Sequence, residues 1–160
     1  MLTAMEGGES FDLALARMQE AGVAEADASL DVDGWDAAAK AAALANVWLD
    51  AGTTPLAVKR EGIGPETAAR AIAARAQGRR LKLVVSGSGT GAPTRVRVQL
   101  EDLPADDPLA ILDGQSNAVE IHTWPLGRVV ITERDGGLEQ TAYALVTDLV
   151  TVARRIGDPA

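Results

Sequence analysis

Cysteine is absent from this chain, so disulfides and thiolate metal sites are both excluded, and a reducing cytoplasm is compatible with the composition. Histidine occurs once, at His122, which argues against a nitrogen-ligated metal centre. Aromatic residues are only 3% of the chain against an apolar fraction of 47%, so the core must come from Ala, Val and Leu, and small-residue helix packing is expected. Basic residues are outnumbered 15 to 23 by acidic ones, for a formal charge of -8. That balance argues against a nucleic-acid partner and against an anionic membrane, both of which need a basic surface. No apolar run approaches the length of a membrane span. The opening residues Met1 to Glu6 lack the basic and apolar regions of a secretory signal, so the chain reads as cytoplasmic. Its 160 residues fit a single domain, 1–160, long enough to enclose a core.

What is present is periodic. Ser10 is placed to cap a helix from Phe11 to about Ala21, stopped by Gly22. An acidic loop, Val23 to Asp33, precedes a second helix from Trp35 to about Ala51, whose stripe of Ala37, Ala41, Leu44, Ala45 and Trp48 is expected to face the core. A short element near Val58 to Ile63 leads to Gly64-Pro65, where proline suits the first turn of a helix ending near Gly78. Leu81 to Val85 reads as a strand buried on both faces, and Arg95 to Leu100 alternates as a half-exposed strand does. Pro104 and Pro108 mark an irregular link. Asn117 to Trp124 and Arg128 to Thr132 flank Pro125-Leu126-Gly127, a hairpin pattern. A last helix, Leu138 to Ile156, carries Leu138, Ala142, Leu145, Leu149, Val152 and Ile156 on one side. The expected class is α/β (α+β), a small mixed sheet of about three to five strands covered by helices.

Five acidic residues gather between Glu25 and Asp36. They could form a solvated loop in which Asp33 caps the helix and Asp36 and Lys40 make a surface pair. Calcium is a poor alternative, because Asp31-x-Asp33-Gly34 matches an EF-hand loop only if Lys40 takes the position of its bidentate Glu. A third possibility is recognition of an amino acid, in which carboxylates hold an ammonium group and Lys40, one turn beyond Asp36, handles a hydroxyl proton. The run Gly87-Ser-Gly89-Thr-Gly91-Ala92 imitates a dinucleotide fingerprint, but Pro93 and an alternating strand follow where a helix N-terminus is needed, so it reads as a loop between strands. His122 is expected at an exposed or edge position. Ser86 and Ser88 have no nearby base and are not nucleophile candidates.

The residues Gly22, Glu25, Asp31, Gly34, Asp36 and Lys40 resemble the signature of the homoserine dehydrogenase family. The resemblance continues through Arg60-Glu61-Gly62-Ile63, Leu81 to Val84, Pro108-Leu109-Ala110, Ser116 to Val119 and Gly136-Gly137-x-x-x-Thr141-Ala142. It implies a homoserine dehydrogenase-like catalytic and dimerising domain, with Glu25 and Asp36 on the amino and hydroxyl region of homoserine, Asp31 supporting them, and Lys40 as proton donor or acceptor. Gly22 and Gly137 would lie beside an NAD(P) cofactor. The implied reaction interconverts L-homoserine and L-aspartate 4-semialdehyde in threonine and methionine biosynthesis. The chain departs from the family in two places. It carries no nucleotide-binding Rossmann half, so NAD(P) would be bound mainly by a separate domain and the chain alone is expected to be inactive. Where the family has a glycine-rich loop, this chain reads Thr132-Glu133-Arg134-Asp135-Gly136-Gly137, whose acids would repel a phosphate. A cofactor-free amino-acid-binding or assembly module is the alternative of a different class.

Overall fold

The computed structural model describes residues 1–89, 94–114, 116–134 and 136–157. They fall into two compact units, Met1–Ala110 and Ile111–Ala160.

The first unit begins with a short helix, α1 (Leu2–Glu6), and then α2 (Phe11–Glu20). Ser10 caps α2 as its position predicts, its hydroxyl accepting from Leu13 N at 3.3 Å. The chain leaves α2 through Gly22 at φ 68°, a left-handed conformation in which glycine escapes the Cβ penalty. The acidic segment is not wholly a loop. It contains a one-turn helix, α3 (Ser29–Val32), started by Asp27, whose carboxylate accepts from Ser29 N at 3.0 Å.

The next helix, α4 (Trp35–Leu49), buries only part of the expected stripe: Ala41 and Ala45 are inside and Ala37 packs against the core, but Leu44 and Trp48 are not. Ala38, Ala41, Ala42 and Ala45 are buried, whereas Leu44 and Trp48 are 38% and 52% exposed. The helix is apolar on nearly every side, so periodicity alone could not choose its inner face. Packing chose the methyl side chains, which let the helix axis approach the sheet. Asp33 does not cap α4; the N-cap is Gly34, at φ 75°.

After a turn at Pro55–Ala57 come β1 (Lys59–Arg60), α5 (Thr67–Ala76), β2 (Arg79–Ser88) and β3 (Arg95–Pro104). The helix after Gly64-Pro65 thus starts two residues beyond the proline. The sheet order is β1-β3-β2, with β1 parallel and β2 antiparallel to β3. Leu83 pairs with Leu100 and Val85 with Val98, which puts these side chains on the face that α1, α4 and α5 cover. Met5, Ala14, Ala71, Ala74, Leu81 and Leu100 form one buried cluster there, and Ala38, Ala41, Ala42, Val58 and Val98 a second, with Leu83 packed against both. In β2 only Leu81 is fully buried and Val85 is 39% exposed, so the strand is not buried on both faces. Lys82 within the apolar run marks the other face, which pairs it with Glu101.

In the second unit, β4 (Asn117–Thr123) and β5 (Gly127–Glu133) form the expected hairpin, with a cis Trp124–Pro125 bond and Gly127 at φ 84° in the turn. The final helix, α6 (Leu138–Gly157), has no buried residue: Leu145, Leu149 and Ile156 are 62%, 61% and 78% exposed. Five strands among the described residues, in two small sheets, agree with the α/β class expected. No helix among them is long and apolar enough to cross a membrane.

Candidate functional site

The candidate residues sit around the turn that joins α3 to α4, and that turn is locked from below by the segment after β1. Ile63 N donates to Val32 O at 2.7 Å, and Arg60 Nε donates to Asp33 O at 3.1 Å. The Arg60 guanidinium also stacks 3.3 Å above the Trp35 ring, a cation–π contact that fixes the first residue of α4. Two glycines make this approach feasible. A Cβ on Gly62 would stand 2.7 Å from Val32 O, and one on Gly34 would stand 2.8 Å from Glu61 O. Glu61 is held in turn. Its N donates to Val98 O, its carboxylate accepts from Leu100 N at 2.9 Å, and it lies 3.5 Å from Arg70.

On this platform Asp36 and Lys40, one turn apart on α4, form an ion pair of 2.7 Å. Their side chains are 51% and 70% exposed, so the contact adds only a few tenths of a kcal/mol to stability and leaves both groups reachable from solvent. Asp31 lies in α3, just before the locked turn, and Glu25 in the segment after α2, where Gln19 Nε2 donates to Glu25 O at 3.0 Å and to Ala26 O at 3.3 Å. Both are exposed, and neither carboxylate makes a hydrogen bond or ion pair among the described residues. Asp36 and Lys40 are therefore brought into contact, while Glu25 and Asp31 stand on neighbouring segments. Asp27 is the acid in this stretch with a perturbed equilibrium: hydrogen bonds from the Ser29 hydroxyl and then its N–H hold its carboxyl below the usual value.

Sequence reasoning gave no role to Arg60, Glu61, Gly62 and Trp35. The available signal was Gly62 between Glu61 and Ile63, a glycine interrupting a strand-like stretch, which often marks close backbone approach.

The glycine run begins inside β2, which contains Gly87 and Ser88 and extends three residues beyond the expected strand end at Val85. Ser88 pairs with Arg95 across an antiparallel ladder, so the run joins two strands rather than a strand to a helix, as expected; residues 90–93 lie outside the described ones. Gly87 and Gly89 instead accommodate Leu49 of α4, which would meet their added Cβ atoms at 3.4 and 3.0 Å. Gly137 precedes α6, its carbonyl accepting from Thr141 N and Oγ1 at 3.1 Å, and Asp135 beside it is outside the described residues. The positive φ of Gly22 is accounted for by the helix stop. Gly22 and Gly137 thus have local backbone roles, Gly22 at the end of α2 and Gly137 ahead of α6. His122 is exposed, as expected, and lies 2.6 Å from Glu120.

The class so defined is an α/β domain with an exposed carboxylate–ammonium pair on a hydrogen-bonded turn. Its fold is that of solved homoserine dehydrogenases: a crystal structure from Thiobacillus denitrificans matches with a TM-score of 0.87 and 32% identity, over 99% of this chain and 37% of that one. The S. aureus enzyme at pH 8.5 matches with a TM-score of 0.85 and 27% identity, over 99% and 40%.

The family profile "Homoserine dehydrogenase" covers residues 1–150, and the chain belongs to that family. The homoserine dehydrogenase of Mycobacterium leprae is 39% identical over 96% of this chain, and the NAD(+)-dependent homoserine dehydrogenase of Pseudomonas canavaninivorans is 36% identical over 95%. The chain spans 36% and 44% of the lengths of these two relatives.

Proposed function

We propose that this chain is the substrate-binding, proton-transferring and dimerising domain, 1–160, of a cytoplasmic homoserine dehydrogenase acting on L-homoserine and L-aspartate 4-semialdehyde. The observation that carries the reading is the Asp36–Lys40 pair at the head of α4, set on a turn that Arg60, Gly62 and Ile63 hold rigidly. In this reading Asp36 binds and orients the hydroxyl end of the substrate, and Lys40 exchanges the hydroxyl proton. Glu25 and Asp31, unpaired in the free chain, receive the substrate ammonium, whose charge offsets their own. NAD(P) is held mainly by a nucleotide-binding domain outside this chain, with Gly22 and Gly137 at the junction. Support for a nicotinamide comes from the NAD(+)-dependent relative, and NADP is the other candidate.

The test is complementation. Residues 1–160 alone should show no NAD(P)-dependent homoserine oxidation, and a nucleotide-binding half from a relative, supplied ahead of Met1, should restore it. A folded fusion with no turnover would refute the reading. Homoserine binding without turnover would favour the cofactor-free binding module instead.

A further inference from the structure

A second feature of the first unit lies on the strands rather than on α4. A groove of about 710 Å³ runs along β1 and β3, and the residues lining it include Lys59, Arg60, Arg95 and Arg97 but neither Asp36 nor Lys40. Lys59 pairs laterally with Arg97, and Arg95 lies two residues before Arg97, so these three side chains share one face of the sheet. Strand spacing puts neighbouring members of such a set about 5 to 7 Å apart, close enough for like charges to repel. Lys59 and Arg95 have no ion-pair partner among the described residues. Arg97 is oriented by donating from Nε to Ser86 Oγ at 2.9 Å, a neutral partner that leaves its charge uncompensated. The single carboxylate in the lining, Glu61, is already engaged by Leu100 N and Arg70. The result is a concave, uncompensated cationic surface on a chain whose net charge is -8.

We propose that this groove is a binding site for a small anion carrying two or more negative charges, on phosphate or carboxylate groups. Repulsion among Lys59, Arg95 and Arg97 is relieved when one multivalent anion spans them, and a concave lining of one sign concentrates the potential there. The guanidinium forks of Arg95 and Arg97 match phosphate or carboxylate oxygens in pairs. A long polyanion is disfavoured, because the acidic remainder of the surface would repel whatever extends beyond the groove. The proposal does not rest on the homoserine reading: Arg60 lines the groove and also holds the α3–α4 turn, but Lys59, Arg95 and Arg97 take no part in that site.

Pyrophosphate and citrate, titrated calorimetrically into the full chain at about 10 mM ionic strength, where the Debye length is about 30 Å, provide the test. We expect saturable binding at one site per chain, weakened at about 0.15 M salt, where screening is stronger. Lys59→Gln with Arg97→Gln should weaken it at least about tenfold, equivalent to about 1.4 kcal/mol. Arg95→Gln, which leaves the Arg97–Ser86 bond intact, is the second variant and should weaken it in the same direction. Arg154→Gln with Arg155→Gln removes two charges from α6 and is the control for bulk charge. Binding of pyrophosphate alone would mean that the site reads phosphoryl geometry, and binding of both anions that it reads charge; either result supports the proposal. No saturable binding of either anion, or equal weakening by the α6 control, would overturn it.

Discussion

Gly34 and Gly62 stand where two backbones meet, and the gap between them has no room for a methyl group. Gly62→Ala would press a Cβ to 2.7 Å from Val32 O, and Gly34→Ala adds the strain of a positive φ to a similar clash with Glu61 O. Each should destabilise the first unit by about 1–3 kcal/mol, the usual range for forced overpacking. Urea unfolding measures this, and a change below about 0.5 kcal/mol, the scale of an ordinary surface substitution, would mean that the turn is not locked as described. At the same site, Lys40→Met in a complemented enzyme should lower turnover by about 10²- to 10⁴-fold while changing homoserine affinity far less, as for a proton-transfer group. Asp36→Asn should impair both. Turnover near wild type in Lys40→Met would return the pair to an ordinary surface contact. Asp27 gives a signed pH expectation. Its folded-state equilibrium is depressed by Ser29, so the added stability of the α3 turn is present above the ordinary carboxylate range and is lost as pH falls through the depressed value. A carboxyl titration followed by NMR with its midpoint at or above the ordinary aspartate value would contradict this.

At the scale of elements, α1 is fastened by a charge rather than by a long apolar face. Glu6 is 6% exposed, and its carboxylate accepts from Leu81 N at 3.0 Å and from Arg80 Nε at 3.1 Å, while Arg75 donates to its carbonyl at 3.2 Å. Removing that carboxylate leaves the Leu81 amide without its acceptor and takes one acceptor from the largely buried Arg80 guanidinium, which still donates to Thr3 Oγ1. Glu6→Ala should therefore cost about 3 kcal/mol, near the lower end for a broken buried pair, because Arg80 retains some contact with water. A loss under about 1 kcal/mol in urea unfolding would show that packing of Met5 alone holds the helix. The last helix behaves differently. Its apolar residues are exposed, so Leu149→Ala should change the stability of the first unit by less than about 0.5 kcal/mol, whereas Leu81→Ala, at 0% exposure, should cost about 2–5 kcal/mol.

For the whole molecule, the exposed stripe of α6 and the family resemblance both favour self-association of the isolated chain. Sedimentation at micromolar concentration should show a species larger than the monomer, and a strictly monomeric profile would count against the dimerising part of the reading. Two compact units in one chain also set an expectation for unfolding. If the hairpin and α6 gain little from their own packing, their amides should exchange faster than those of β2 and β3, which carry the buried Leu81, Val98 and Leu100 and are covered by α1, α4 and α5.

Local chemistry was legible in the sequence. Ser10 as a cap, Gly22 and Gly78 as helix stops, and the hairpin around Pro125-Leu126-Gly127 all follow from short-range rules of capping, turn conformation and alternation, which act over a few residues and need no partner. The spacing of Asp36 and Lys40 likewise made their ion pair predictable from one turn of helix. What tertiary structure decided was orientation. In α4, Ala38 and Ala42 replaced Leu44 and Trp48 on the inner face, because a helix apolar all round carries no signal of which side meets the sheet, and close approach selects methyl groups. In β2 only Leu81 is fully buried although Leu81 to Val85 reads as buried on both faces, because coverage of a strand depends on where α1, α4 and α5 pack and not on the strand itself. The lock of Gly62 on Val32 and the shared face of Lys59, Arg95 and Arg97 join residues about 30 or more apart in sequence, which only the parallel pairing of β1 with β3 and its continuation bring together.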